Sequence, residues 1–329
     1  LKSYLTALNG HASVAVSGFV GDGVNVKKLS VKLRDAVGRM AATGSATVNG
    51  GDLNVSGSFS QQGSAFDIVL DSLEWREGPH TVRLRDRARL TVEDRELRFA
   101  KLRLTAASGQ IEVEGVAGPE SVALDIAVDQ LPAEFANSFV PGLGASGLIR
   151  AQATLRGKPA EPIAKVKATW ANASVQALRE SNLPPAMAVL EGRLRDGLAS
   201  AKIDIRGPNA LSLSIVGDAA IQRAPKSLNF RIDGHIPLSL ANPALATRAT
   251  RLSGHATVSG TVKGTVAAPR LVAQVSVPNA AVDDPSSGIK LKRLVGLFDI
   301  SERGVQIRRL TGESAFGGTV SLGGRIVAE

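Results

Sequence analysis

Few residues in this 329-residue chain could do covalent or metal chemistry, and their spacing does not favour it. Gly142-Leu143-Gly144-Ala145-Ser146-Gly147 has the spacing G-x-G-x-x-G. A dinucleotide site needs a strand before those glycines and a helix after them, so that the helix N-terminus meets the pyrophosphate. Here a short apolar helix precedes them and an alternating stretch, Leu148 to Leu155, follows, so the hexapeptide reads as a helix-to-strand loop. The four histidines, His11, His80, His235 and His255, form no H-x-x-x-H pair, and there is no cysteine to complete a zinc set. No G-x-S-x-G elbow occurs, and Asp and Glu are scattered, with no pair that sequence alone brings together. The expectation is a protein that is not an enzyme, with no catalytic residue, cofactor or metal.

Apolar side chains at alternate positions remain. Val122, Leu124, Ile126 and Val128 alternate with Ala123, Asp125, Ala127 and Asp129. Leu211, Leu213 and Ile215 oppose Ser212 and Ser214. Leu228, Phe230 and Ile232 oppose Asn229, Arg231 and Asp233. Leu271, Val275 and Val277 continue the pattern, and Leu29, Val31 and Leu33 show it earlier. Strict alternation predicts strands with one dry and one wet face. Leu97 and Phe99 share one parity while Leu102 and Leu104 have the other, which predicts a bulge near Ala100-Lys101. Short helices are expected over residues 3–8, at PAEFANSFV after Leu131, and over Pro237–Leu245. Continuous apolar runs and long crossover helices, the marks of a parallel α/β sheet, are missing. The fold class is therefore all-β with a few short helices: an elongated, repetitive, mostly antiparallel sheet of about 25 short strands spaced roughly 4.8 Å apart.

An internal repeat organises these strands. Ser253–Val282 aligns without a gap on Ser146–Val175, an offset of 107 residues (253 against 146). Gly147 meets Gly254, Gly157 meets Gly264, Pro162 meets Pro269, and Asn172-Ala173 meets Asn279-Ala280. Upstream, Ala136-Asn137 matches Ala241-Asn242 at 105. Gly10-His11-Ala12 echoes Gly254-His255-Ala256, a recurrence that makes His11 and His255 solvent-facing strand positions. The chain reads as a first, blurred unit over 1–143, a second over 144–251 and a third, truncated one over 252–329. Repeats of this kind bury each unit's apolar face only against its neighbours.

Composition narrows the function. Apolar residues make up 43%, enough for a core, but aromatics only 4%, so the dry face is aliphatic and smooth. No run reaches the ~18 apolar residues of a membrane-spanning helix. The formal charge of +9 is spread over strands in alternation with apolar residues, as on a solvated face. No basic cluster is interleaved with stacking aromatics, so a nucleic-acid partner is not expected.

The dry face then has two possible fates. Packed against itself it is closed core, as in a structural or adhesive β-solenoid. Left open in a curved sheet it is a trough for acyl chains, each buried methylene contributing roughly 0.8 kcal/mol. In that case the chains would lie against Val122, Leu124, Ile126, Val128, Leu211, Leu213, Ile215, Leu228, Phe230, Ile232, Leu271, Val275 and Val277.

The segment LEWREGPHTVRLRDRARLTVEDRELRFAKLRLTAASGQIEVEGVAG, followed by LPAEFANSFVPGLGASGLIRAQATLRGKPAEP, resembles the TamB family within the AsmA-like, bridge-like lipid-transfer group. SGTVKGTVAAPRLVAQVSVPNAAV and SAFGGTVSLGGRI share that cadence of Gly, Pro and aliphatics. The resemblance implies a U-shaped β-trough in the periplasm of a Gram-negative bacterium, in a protein anchored in the inner membrane. It implies phospholipid movement between the two membranes, and outer-membrane protein assembly with a β-barrel partner of the TamA type. It places the inner-membrane anchor and the partner-binding domain outside these 329 residues.

Overall fold

The computed structural model describes residues 11–21, 24–36, 38–48, 50–138, 142–221, 226–265 and 268–327. The helix expected over 3–8 and Gly10, the repeat counterpart of Gly254, lie outside them. Strands hold 75% of the residues and helices 8%, so the chain is all-β. It divides into two units, one of Leu1–Phe135 with Ile149–Pro162 and one of Ala136–Leu148 with Ile163–Glu329.

In unit one the strands are β1 (His11–Gly21), β2 (Val24–Ala36), β3 (Arg39–Val48), β4 (Gly51–Gln62), β5 (Ala65–Glu77), β6 (His80–Leu84), β7 (Ala88–Glu93), β8 (Glu96–Ala106), β9 (Gly109–Ala117) and β10 (Val122–Pro132). Each pairs antiparallel with its neighbour, except that β6 and β7 share one slot between β5 and β8. The interruption between them falls at Arg85-Asp86-Arg87, where Arg85 N still donates to Arg103 O at 2.9 Å. The expected bulge is present: the β8–β9 register slips between Phe99 and Leu102. In β11 (Ser146–Lys158), Arg156 Nη2 donates to both carboxylate oxygens of Asp125 in β10, at 2.6 and 2.7 Å.

Unit two continues with β12 (Glu161–Ser174), β13 (Ala186–Arg195), β14 (Leu198–Arg206), β15 (Ser212–Ala220), β16 (Ser227–Pro237), β17 (Arg251–Thr265), β18 (Pro269–Asp284), β19 (Ile289–Ser301), β20 (Gly304–Ser314) and β21 (Thr319–Ile326), in sequence order and all antiparallel. Two turns of α-helix, α1 (Gln176–Glu180) and α2 (Asn242–Leu245), and the 3-10 turns at Pro208–Ala210, Leu238–Ala241 and Ala246–Arg248 join strands at one rim only. At the other rim, Asp196-Gly197 and Glu302-Arg303 are two-residue turns. The expected helix at Pro237–Leu245 is there, and PAEFANSFV contains the 3-10 turn Ala133–Ser138. The short α1 went unforeseen, because five residues carry no periodicity.

Among the described residues the strands number 21 rather than about 25, and several are longer than alternation suggested, up to the 16 residues of β18. Bulges explain this. A bulge flips the parity of the side chains, so one strand reads as two. The slips recur with the repeat: β12 slips against β13 between Trp170 and Ala173, and β18 against β19 between Val277 and Ala280. Gly147 and Gly254 face these sites with φ of 110° and 100°. A Cβ on Gly147 would stand 2.5 Å from Asn172 O, and one on Gly254 2.4 Å from Asn279 O. Only glycine permits both the left-handed backbone and that close approach. The loop Gly142–Ala145 is likewise a loop, as its missing strand–helix context predicted.

Asparagines repeat too. Asn137 Oδ1 accepts from Ala145 N at 2.7 Å and its Nδ2 donates to Ala145 O at 3.2 Å. Asn242 makes the same two bonds to Leu252 at 2.7 and 3.1 Å. Each closes the helical connection back onto the strand that follows it.

Candidate functional site

Alternation within a strand fixes which side chains share a face, and register decides which of them meet across strands. In unit two the register aligns Trp170, Ala188, Ile205, Leu213, Gly234, Val258, Val275, Phe298 and Ile307, each directly opposite the next on successive strands. A parallel row runs through Leu190, Ile203, Ile215, Ile232, Gly260, Ala273 and Ile300. The substantial strand contacts within each unit are between ladder neighbours, so among the described residues no second sheet lies on this face. Accordingly, the fully covered apolar residues are mostly alanines, and among the described residues no large side chain is fully buried.

The expected site residues fall as follows. Leu213, Ile215, Leu228, Phe230, Ile232, Leu271 and Val275 share one face of unit two, where Phe230 stands opposite Val262 and Val262 opposite Leu271. Leu211 lies just outside β15, folded against Gly207, whose Cβ would stand 2.7 Å from Leu211 Cδ2. Val277 departs from the rest: it is 8% exposed and packed with Ala256, Ala280 and Leu294 under Leu238 of the rim connection. Val122, Leu124, Ile126 and Val128 form the apolar side of β10 in unit one, opposite Ala117, Gly115, Val113 and Ile111. Val122 is also covered, at 8%.

Unit one holds an apolar concavity of about 270 Å³ that alternation had not singled out. It lies over β3, whose inward residues Ala42, Gly44 and Ala46 are all small, between Leu29 and Val31 of β2 and Leu53 and Val55 of β4. A search for aliphatic alternation passes over such a stretch. Its signal is small residues at every second position between two aliphatic strands.

The opposite face is polar and ion-paired. Arg103 Nε sits 3.1 Å from Glu112 directly across the ladder, and Lys167 Nζ 3.2 Å from Glu191. Hydrogen bonding from Lys101, then Arg103, holds the Glu112 carboxyl below the usual carboxylate range. His235 and His255 stack there at 4.5 Å. Among the described residues no cluster of three or more His, Asp or Glu is arranged to hold a metal. Among the described residues no helix is long and apolar enough to cross a membrane.

Against known protein families, curated proteins and solved structures, the chain matches none.

Proposed function

We propose that this chain is a passive, periplasmic lipid conduit of the TamB kind, in which phospholipid acyl chains lie on the apolar strand faces and headgroups stay in water. The observation that carries this reading is the half-covered state of the aliphatic rows: they are aligned by register, and among the described residues no second layer closes them within a unit. A smooth aliphatic surface attracts methylenes at roughly 0.8 kcal/mol each without selecting one pose, which suits movement along it. Extended apolar surface of this kind is unusual unless something binds it. Partner assembly with an outer-membrane barrel and anchoring in the inner membrane belong to this proposal through the resemblance given above.

Both tryptophans of the chain report on the apolar side, Trp75 opposite Leu53 and Trp170 opposite Ala188. Lipids carrying a nitroxide on the acyl chain are expected to quench both, while a water-soluble nitroxide with no tail quenches them less. Equal quenching by the two probes, with no lipid in organic extracts of the purified protein, would favour a closed core and reject the conduit.

A further inference from the structure

The repeat extends to β21. Thr319-Val320-Ser321-Leu322-Gly323-Gly324 falls on Ser212-Leu213-Ser214-Ile215-Val216-Gly217 of β15, again at an offset of 107 residues (319 against 212). The register agrees with the sequence. Leu322 stands opposite Leu310 and Val320 opposite Gly312, as Ile215 stands opposite Ile203 and Leu213 opposite Ile205. β21 therefore holds on β20 the place that β15 holds on β14.

The two strands differ on their other side. β15 pairs there with β16, which sets Phe230 opposite Gly217 and Ile232 opposite Ile215. Among the described residues β21 pairs with β20 alone. Its apolar row is correspondingly bare: Leu322 is 51% exposed and Ile326 60%, whereas Ala219, the counterpart of Ile326, is 9% exposed.

One glycine shows what fits beside it. A Cβ on Gly217 would stand 2.1 Å from Asn229 O and 2.6 Å from Phe230 Cα, both in β16, so the neighbouring strand demands glycine. A Cβ on Gly324 would meet nothing within 4 Å, and φ is left-handed at neither position. Glycine inside a strand weakens it and often marks the close approach of another backbone. At Gly324 that requirement arises only when a strand lies along β21 as β16 lies along β15. A hydrocarbon tail would not create it, and could not hydrogen-bond the N–H and C=O groups that a strand edge presents.

We propose that β21 is an acceptor edge for one antiparallel polypeptide strand with the pattern of β16: apolar at every second residue, with a large side chain abreast of Gly324. This edge takes peptide and does not depend on the lipid reading. The test adds a fluorescent peptide of β16's sequence, Ser227–Pro237, to the full 329-residue chain. A single peptide is expected to bind per chain, with amide hydrogen exchange slowed over residues 319–326. The same peptide carrying Phe230→Asp should bind at least tenfold more weakly. Gly324→Val keeps or raises Tm, since valine suits a strand and the space is open, yet weakens the peptide at least tenfold by meeting its backbone. No binding to the unaltered chain, unchanged affinity in Gly324→Val, or slowed exchange only outside residues 319–326 would each overturn the proposal. A dimer of the unaltered chain that Gly324→Val dissociates would put a second copy on this edge and overturn it as well.

Discussion

Leu213 occupies the space that a side chain on Gly234 would need: the two are cross-strand partners, and a Cβ at 234 would stand 2.2 Å from Leu213 Cδ2. Large and small residues thus interlock within one face. Gly234→Ala is expected to destabilise by about 1–3 kcal/mol through overpacking. Adding Leu213→Ala should recover part of that loss, so the double variant is more stable than the two single costs predict. Urea unfolding of the four proteins measures the coupling, and strict additivity would show that the leucine swings away freely.

Charge on the same face tests the conduit directly. Leu213→Asp with Ile215→Asp places two carboxylates on neighbouring inward positions that are half-buried, so a stability loss of about 1–3 kcal/mol is expected together with loss of co-purified lipid. Retained lipid at near-normal Tm would remove this part of β15 from the path.

The asparagine clamps are expected to matter in both copies of the repeat. Asn242→Ala removes two hydrogen bonds to Leu252, and Asn137→Ala two to Ala145, for about 2 kcal/mol each. Asn242→Asp keeps the acceptor and loses the donor, and should fall between. Hydrogen exchange over residues 238–252 should rise selectively in the Asn242 variants. Uniform exchange would mean the connection is held by Leu238 and Leu240 alone.

Asp284 supplies a pH signature. Its carboxylate accepts from Ser286 Oγ at 2.6 Å, Ser287 Oγ at 2.8 Å and Ser286 N at 3.1 Å, and the serine hydroxyls above all hold its pKa down to about 2 from the ordinary 3.8. The folded value is lower than the unfolded one, so the ionised carboxylate contributes stability above about pH 4. That contribution disappears as the pH falls from there through about 2. Asp284→Asn should therefore have a lower Tm than the unaltered chain at pH 6, and most of the gap should be gone by pH 2. A gap independent of pH would trace the effect to the turn's shape rather than its charge.

Surface ion pairs are expected to contribute little. Arg156 and Asp125 form a two-point contact, yet their side chains are 43% and 47% exposed. Arg156→Ala should cost at most about 1 kcal/mol, with most of that gone in high salt. A larger, salt-resistant loss would assign the effect to the hydrogen bonds of Arg156 on the Leu124 and Leu155 carbonyls.

Much of the fold was legible because its information is local. Alternation along β10, β15 and β16 names the inward side chains whatever the strand pairs with, and the parity slip at Ala100-Lys101 betrays a bulge without a partner in view. The match of Gly147 to Gly254 and Asn137 to Asn242 identified the repeated joints, since a left-handed backbone or a side-chain clamp needs that residue type at that place. Pairing, by contrast, depends on groups far apart in the chain. Only the tertiary structure decided that Val277 lies under Leu238 while Val275, two residues earlier, continues the row of Leu213. Only it revealed the groove over Ala42, Gly44 and Ala46, because an empty space is defined by the strands on either side of it and not by the small residues at its floor.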